Sequence, residues 1–307
     1  MQIFVRKQSR LWLIALVCSG GFFASAHAQT SQDSTTPTDE DVLTVRVLGQ
    51  ERRRLTETVQ WQILDLALQK SGRTYDLALS EHTRRPYGAA KQLQELGDEG
   101  NVIWRGAIPR REKTMRAVYI PNLSGLVSYW NFFVHEDNLR QLANAETLDD
   151  LKDYAFLLGE DFQVTPFIEA EGIEVRFGDA SNVPRMLASG RADIFMYPAI
   201  FRKTLDRFGA DEFDMVHLPN VMLHLPMAFY FFVAQTGSEE LYSAISTGMT
   251  NAQLDGSYET LLSTHPFTLD SFNEIMNGDY SLIEFDNPNL TEETWDVLVA
   301  NRKKLGR

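Results

Sequence analysis

The amino-acid sequence predicts an α/β protein built from two lobes. Strand-like segments alternate with helix-like segments in two separate runs, near 43–120 and 154–218. Such alternation is typical of mostly parallel sheets whose strands are joined by helices. A very apolar segment follows each run, at 129–134 and at 227–233. One of these enters the second run and the other leaves it, which predicts a chain that crosses twice between lobes. The alternative is that both are ordinary core strands.

The N-terminus has the pattern of a secretory signal peptide over residues 1–28. Three basic residues precede a short apolar run, and small residues end the segment at Ala26-His27-Ala28. We expect cleavage after Ala28 and a periplasmic location. The alternative is an uncleaved anchor, but the apolar run is short for a bilayer, which needs about 20 residues. Residues 29–41 are polar and acidic, which predicts a disordered leader.

Composition narrows the classes of function. The 307 residues suit about two domains. The formal net charge is −13, and loss of residues 1–28 removes three basic residues, which makes it −16. A surface this acidic repels phosphate, so nucleic acid is excluded as an expected partner. The single cysteine, Cys18, lies within the predicted signal peptide, so we expect neither a disulfide nor thiol chemistry in the exported chain.

In the first run, the pattern begins with an alternating strand that ends at Gly49 and a helix with Thr56 as its N-cap and Gly72 at its end. The predicted elements are strand 43–48, helix 56–71, strand 75–79, helix 86–96, strand 101–104 and strand 115–120.

The second run repeats this pattern, with Pro166 in the first turn of its first helix, where proline is well tolerated. The predicted elements are strand 154–158, helix 165–171, strand 173–177, helix 182–189, strand 193–197, helix 199–208 and strand 215–218. After Thr264 the pattern is less regular, apart from a turn at 286–291 that leads to a short helix capped by Thr291.

No common catalytic pattern is present: the sequence lacks a G-x-S-x-G elbow, a P-loop, a G-x-G-x-x-G fingerprint and an H-E-x-x-H motif. The histidines are scattered and show no metal-ligand spacing, so we expect no metal site and no cofactor. The many carboxylates are typical of a solvated face.

Two segments carry more information. The first, 104–113, follows a predicted strand and offers an aromatic plane at Trp104, a flexible turn at Gly106 and paired arginines that end at Arg111. Arginine binds carboxylates through two parallel hydrogen bonds, and α/β folds place ligands beyond the carboxyl ends of strands. The alternative is a solvated basic turn. The second segment, 186–197, contains a helix end at Gly190 followed by a strand.

These segments resemble motifs of the periplasmic solute-binding proteins of family 3, the amino-acid-binding type that serves ABC importers. The second-lobe motif of that family is similar to Leu187-x-x-Gly190-Arg191-x-Asp193, and its first-lobe motif Thr-Pro-Glu-Arg-x-Lys is similar to 109–113. Residues 147–152 resemble the family's entry into the second lobe. The strand 229–233 and the helix 239–254, which leads to Asp255-Gly256-Ser257-Tyr258, resemble its return to the first.

The resemblance implies a type 2 periplasmic-binding-protein-like fold whose lobes close on a ligand. The first lobe would comprise 42–128 and 234–307, and the second 129–233, with hinge strands near 129–134 and 227–233.

By position, Arg111 matches the arginine that holds the ligand carboxylate, and Trp104 or Tyr197 would cover an apolar part of the ligand. Gly159 would offer backbone N–H groups at a helix start. Asp193 either contacts the ligand or orders the turn before its strand.

The sequence departs from the family at the groups that hold an amino acid. Ile108 replaces a threonine or serine, and Tyr197 and Pro198 stand where the family has the carboxylate for the ligand's ammonium. The loop after the first strand, 50–54, is charged where the family has aromatic residues. These differences indicate another small polar or anionic solute.

Three functions remain open. The leading hypothesis is a monomeric, non-enzymatic binding protein that delivers a solute to a membrane permease. The second is a sensory or interaction module with the same fold and without transport. The third is an enzyme on this fold, such as a dehydratase or a wall-lytic protein.

Overall fold

The computed structural model describes residues 42–49, 56–84, 88–160 and 162–304. The predicted signal peptide at 1–28, the leader at 29–41 and the charged loop at 50–54 lie outside the described residues. Within the described ranges, no helix combines the length and the apolar character needed to cross a membrane.

Among the described residues, the first sheet has five strands in the order β2-β1-β3-β10-β4. Strands β1, β2 and β3 are parallel, and β10 lies antiparallel between β3 and β4. The strand bounds are β1 Leu43–Val47, β2 Tyr75–Leu79, β3 Val102–Gly106, β4 Arg116–Ala117 and β10 Phe229–Val233. We call this sheet and the helices packed on it the first lobe.

The second sheet, in the part of the chain that the structure describes, has six strands in the order β11-β9-β5-β8-β6-β7. Strand β5 is antiparallel to both of its neighbours, and the other pairings are parallel. The strand bounds are β5 Tyr129–His135, β6 Phe156–Leu158, β7 Val175–Phe177, β8 Ile194–Pro198, β9 Met215–His224 and β11 Ser281–Glu284. We call this sheet and the helices packed on it the second lobe.

Helices cover both sheets. Their bounds are α1 Val59–Lys70, α2 Ala89–Leu96, α3 Pro109–Thr114, α4 Glu136–Leu142, α5 Thr165–Ala170, α6 Val183–Ala188, α7 Glu239–Leu254, α8 Ser257–Thr264, α9 Leu269–Asn277 and α10 Glu292–Lys304. A 3₁₀ helix, Ala199–Phe208, follows β8. The predicted α/β class is confirmed, but the sheets are mixed rather than mostly parallel. Strands β5 and β10 arrive directly from the other lobe, so no crossover helix makes them parallel to their neighbours.

The helix after β1 begins two residues later than its sequence pattern predicts. Thr58, rather than Thr56, is the N-cap, because its hydroxyl accepts a hydrogen bond from the backbone N–H of Trp61 at 3.3 Å. This bond satisfies one of the donors that a helix start leaves without an intrahelical partner. Apolar residues three and four apart then form a buried stripe that includes Ile63 and Leu64.

The two very apolar segments are core strands. Phe132 of β5 and Phe232 of β10 are fully buried, and each strand pairs on both sides. The chain passes between the sheets just before each strand, in 118–128 and 225–228. These crossings lie side by side, since the buried Ser128 hydroxyl donates to the Met227 carbonyl at 3.0 Å and accepts from its N–H at 2.9 Å. The two predicted crossings are therefore present, immediately before the predicted hinge strands.

The C-terminal residues correct the predicted lobe boundary. Residues 234–307 are predicted in the first lobe, but β11 pairs with β9 in the second sheet and α9 packs on the 3₁₀ helix after β8. The chain then returns, and Leu298 of α10 joins the apolar cluster of the first sheet. The hydroxyls of Thr291 and Thr294 donate to Glu112 of α3 at 2.6 and 2.8 Å. Residues 265–304 thus add two further crossings to the predicted pair.

We expect acid to destabilise the fold through His224, which ends β9 and is 7% exposed. Burial, and after it the charge of Arg302, lowers the pKa of His224 to about 4, against a partial opposing effect of Glu284. The pKa of His224 is lower in the folded state than in the unfolded state, so protonation favours unfolding. The fold therefore keeps its full stability above pH 6.5 and loses stability as the pH falls towards 4. At pH 5 the loss is about 2 kcal/mol.

The measurement is urea unfolding between pH 7.5 and 4.5 for the wild type and for His224→Gln. The variant is expected to show a shallower fall in the free energy of unfolding over this range. The exposed Thr247, which does not titrate, provides the control as Thr247→Ala, which should keep the wild-type slope. Equal slopes for His224→Gln and the wild type would contradict the assignment.

Candidate functional site

A cavity of about 450 Å³ lies between the two lobes. Its first-lobe wall forms where the parallel strands end: Leu48 and Gly49 follow β1, Gly106 ends β3, and Arg84 follows β2. The backbone N–H of Arg84 donates to the Gly49 carbonyl at 2.9 Å, which joins two of these loops. The location agrees with the rule that α/β sheets bind ligands beyond the carboxyl ends of their strands.

The opposite wall comes from the second lobe. Phe201, Thr204 and Arg207 lie on the 3₁₀ helix that follows β8, and they line the same cavity. The Phe201 ring lies 6.0 Å from the Phe229 ring of the first lobe and 6.3 Å from the ring of Phe267, measured between centroids. Aromatic side chains from both lobes therefore bound one apolar side of the cavity.

The charged residues of the described lining are predominantly basic. They are Arg84, Arg105, Arg207 and Glu57. Arg84 is only 6% exposed, whereas Arg207 and Glu57 are exposed. In a chain with a net charge of −13, this local excess of arginine indicates an anionic ligand.

Three guanidinium groups on the first-lobe side act on one another. Burial, and after it the charges of Arg105 and Arg111, lowers the pKa of Arg84 to about 10. Burial, and after it the charge of Arg105, also lowers the pKa of Arg111. Arg84 remains a cation at neutral pH, because a pKa of about 10 lies far above 7. A bound anion would relieve this repulsion.

The start of α1 adds to the positive potential. Thr58, Val59 and Gln60 line the cavity at the N-terminal end of this twelve-residue helix. The first N–H groups of a helix carry partial positive charge, which favours an anion nearby. The helix end and the arginines therefore both favour a negatively charged ligand.

Two of the residues predicted at the site, Trp104 and Gly106, line the cavity. Arg111 lies directly behind them on α3. Its guanidinium donates to the Gly106 carbonyl at 2.7 Å, but Arg111 itself is not among the lining residues. The predicted basic turn is helical, since Pro109 occupies the first turn of α3.

The predicted second-lobe residues lie outside the described lining. The Thr204 hydroxyl donates to the Tyr197 hydroxyl at 3.1 Å, so this half-buried tyrosine contacts a lining residue from behind. Gly159 lies against the Phe162 ring. Asp193 precedes β8, at the edge of the sheet opposite to the cavity, and its carboxylate accepts from the Ala155 N–H at 2.8 Å. This bond orders the start of two neighbouring strands.

Sequence reasoning missed Arg84, Arg207 and the phenylalanines of the lining. The sequence does contain a signal for Arg84, because this residue follows the predicted strand 75–79. Ligands bind beyond the carboxyl ends of strands in α/β sheets, which is also why Trp104 was predicted at the site. The same holds for Phe201, which follows the predicted strand 193–197. Phe267 comes from the irregular tail, so nothing local indicated it. Within the described ranges, no cluster of three or more histidine, cysteine or acidic side chains is arranged to hold a metal ion.

Comparison of the sequence with protein-family models gives no match, and comparison with curated proteins gives none either. Solved structures are similar in fold. A histidine kinase sensor domain with similarity to periplasmic binding proteins is 15% identical, with a TM-score of 0.50 over 74% of this chain and 97% of that chain. An ancestral arginine-binding protein bound to arginine is 14% identical, with a TM-score of 0.50 over 74% and 98%.

A third similar structure is the second substrate-binding domain of a putative amino acid ABC transporter from Streptococcus pneumoniae. It is 12% identical, with a TM-score of 0.51 over 72% of this chain and 99% of that chain. All three alignments span nearly the whole neighbour, and identities this low establish the fold alone. The resemblance that the sequence motifs indicate is confirmed at this level: the chain has the two-lobe fold of periplasmic binding proteins.

Proposed function

We propose that this protein captures a small anionic solute in the cavity between its two lobes. The observation that carries the proposal is the buried Arg84 beside Arg105 in a cavity that both lobes line. Guanidinium groups in a water-poor cleft bind carboxylates or phosphates strongly, because the charge-assisted hydrogen bonds are poorly screened there. The aromatic rings that both lobes contribute to the cavity would hold the apolar part of the solute.

The lining favours binding over catalysis. Its described residues include one carboxylate, Glu57, and two hydroxyls, and no histidine, cysteine, serine or lysine. Nucleophilic or general acid–base catalysis needs such a group with a partner within hydrogen-bond reach. The hydroxyl of Thr58 caps α1, and that of Thr204 is bonded to Tyr197 and the Phe201 carbonyl. We therefore propose a non-enzymatic role for this cavity.

The proposed setting is the periplasm, where the solute would pass to an ABC-type permease. The predicted signal peptide and the fold support this role, and one similar structure comes from a putative amino acid ABC transporter. A sensory role without transport is the second candidate, and the similar histidine kinase sensor domain favours it. Uptake of the labelled solute should fall in a gene-deletion strain if the protein serves an importer. If it serves a sensor, the transcriptional response to the solute should be lost while uptake continues.

Native mass spectrometry tests solute capture directly. Protein purified gently from its own host is expected to retain a small molecule with at least one acid group, and calorimetry against amino acids, organic acids and sugars should then give saturable binding of that class. Absence of any retained molecule together with no saturable binding would contradict the proposal.

Arg111 is expected to support the site from behind. Arg111→Ala removes both a positive charge and the hydrogen bond to the Gly106 carbonyl, so the affinity for the retained acid should fall about tenfold. The neighbouring Arg110 is exposed on the same helix, and Arg110→Ala should bind within about twofold of the wild type. Wild-type affinity in Arg111→Ala would remove this residue from the site and leave the cavity assignment intact.

A further inference from the structure

The charge of the lining indicates more than the sign of the ligand. Its described residues carry three guanidinium groups and one carboxylate, a net of two positive charges. We infer that the solute is a dianion whose two acid groups are held by opposite lobes. This inference rests on the proposed function and specifies the class of its ligand.

The arginines are distributed over both walls of the cavity. Arg84 and Arg105 lie on the first lobe, next to the start of α1. Arg207 lies on the second lobe, in the last turn of the 3₁₀ helix Ala199–Phe208. A single acid group bound at Arg84 and Arg105 would leave the charge of Arg207 facing the cavity from the other side. A second acid group would be bound there.

The second lobe therefore presents a cation to the ligand. Its other polar residue in the lining, Thr204, is uncharged, and its hydroxyl contacts Tyr197 and the Phe201 carbonyl. The carboxylate of the described lining, Glu57, is exposed and lies on the first-lobe wall, on the same side as Arg84. An ammonium group directed at the second lobe would meet Arg207, so an α-amino acid is disfavoured by like charge.

One side of the cavity is apolar. The Phe201 and Phe229 rings, with centroids 6.0 Å apart, come from opposite lobes, and Phe267 extends the same surface. Apolar ligand groups gain free energy when such rings remove them from water. A dicarboxylate with an aromatic or aliphatic body matches both features.

A matched pair of probes separates the second charge from the body of the ligand. Phenylsuccinate carries two carboxylates, and 3-phenylpropionate has the same phenylpropanoic skeleton with one. Calorimetry at pH 7.5 with the wild-type protein is expected to show at least tenfold tighter binding of phenylsuccinate, because a guanidinium–carboxylate pair in a partly closed cleft contributes this much.

The variant Arg207→Gln is expected to bring the two affinities within about threefold by weakening phenylsuccinate alone. Arg207→Lys keeps the charge and should keep a clear preference for the dianion. Arg191 is exposed on the same lobe and outside the lining, so Arg191→Gln serves as the control and should behave as the wild type. Circular dichroism and the Tm of each variant report on folding.

Equal affinities of the wild type for the two probes, binding of neither probe, or an undiminished preference in Arg207→Gln would overturn the inference. The proposed function would survive these results if an amino acid or a monoanion bound saturably and lost affinity in an Arg84 variant. It would fail separately if no member of the wider panel bound at all.

Discussion

Arg84→Gln is expected to remove most of the affinity for an anionic solute. Arg84 is 6% exposed and lines the cavity, so its contact with an acid group would be largely shielded from water. Loss of one partner from a buried charge pair weakens binding by about 2–5 kcal/mol, which corresponds to about 30-fold up to several thousandfold in Kd. Calorimetry with the retained solute, or with phenylsuccinate, measures the change.

Two controls separate lost binding from lost folding. Arg73→Gln removes an exposed first-lobe arginine that pairs with Glu240 at 3.5 Å, away from the lining, and should bind as the wild type does. The rise in Tm that saturating ligand produces is expected to disappear in Arg84→Gln, because a ligand stabilises only a protein that binds it. Binding of Arg84→Gln within threefold of the wild type would place the anion elsewhere.

Gly248→Ala is expected to destabilise the first lobe, although alanine favours helices. Gly248 lies in the middle of α7 where that helix packs on α1, and an added Cβ would lie 2.5 Å from the carbonyl carbon of Ala67 and closer still to its oxygen. The gain in helix propensity is about 1 kcal/mol. Overpacking against a backbone costs about 3 kcal/mol, so the net loss should be about 2 kcal/mol.

Chemical denaturation measures this loss, with Thr247→Ala as the control on the exposed side of the same helix. The control is expected to change the free energy of unfolding by less than about 0.5 kcal/mol. Because Val59 and Gln60 of α1 line the cavity, a displaced α1 should also weaken solute binding in Gly248→Ala. An equally stable or more stable Gly248→Ala would show that α1 and α7 are farther apart than described.

Local patterns predicted the elements of both runs closely. Strand β2 has the predicted bounds, 75–79, and α7 has the bounds that the resemblance implied, 239–254. Both segments carry their signal in consecutive residues, through apolar spacing and through glycine or polar residues at their ends. The strand in the C-terminal tail was not predicted, because its signal does not lie in consecutive residues. Strand β11, Ser281–Glu284, is short and only partly buried, and it becomes a strand because β9 offers a free edge.

The residues of the candidate site also divide into those that a local pattern predicts and those that depend on distant parts of the chain. Trp104 and Gly106 could be placed at the cavity because they follow a predicted strand, where ligands bind in such folds. Arg207 belongs to the site because its 3₁₀ helix faces a wall formed more than a hundred residues earlier in the chain. No pattern within 199–208 indicates that this helix faces the first-lobe wall of the cavity. For Asp193 the sequence left two roles open, a ligand contact or the ordering of the turn before its strand, and its carboxylate accepts the Ala155 N–H at 2.8 Å.

The sequence by itself determined the α/β class, the two runs of alternating strands and helices, and the basic segment that ends in Arg111. These properties depend on apolar periodicity and on residue type, which are local. Only the tertiary structure decided which charges meet across the cavity and that the C-terminal residues join both lobes. Contacts between residues far apart in the chain depend on how the sheets pack, because electrostatic and apolar interactions act through space over a few ångströms and not along the backbone.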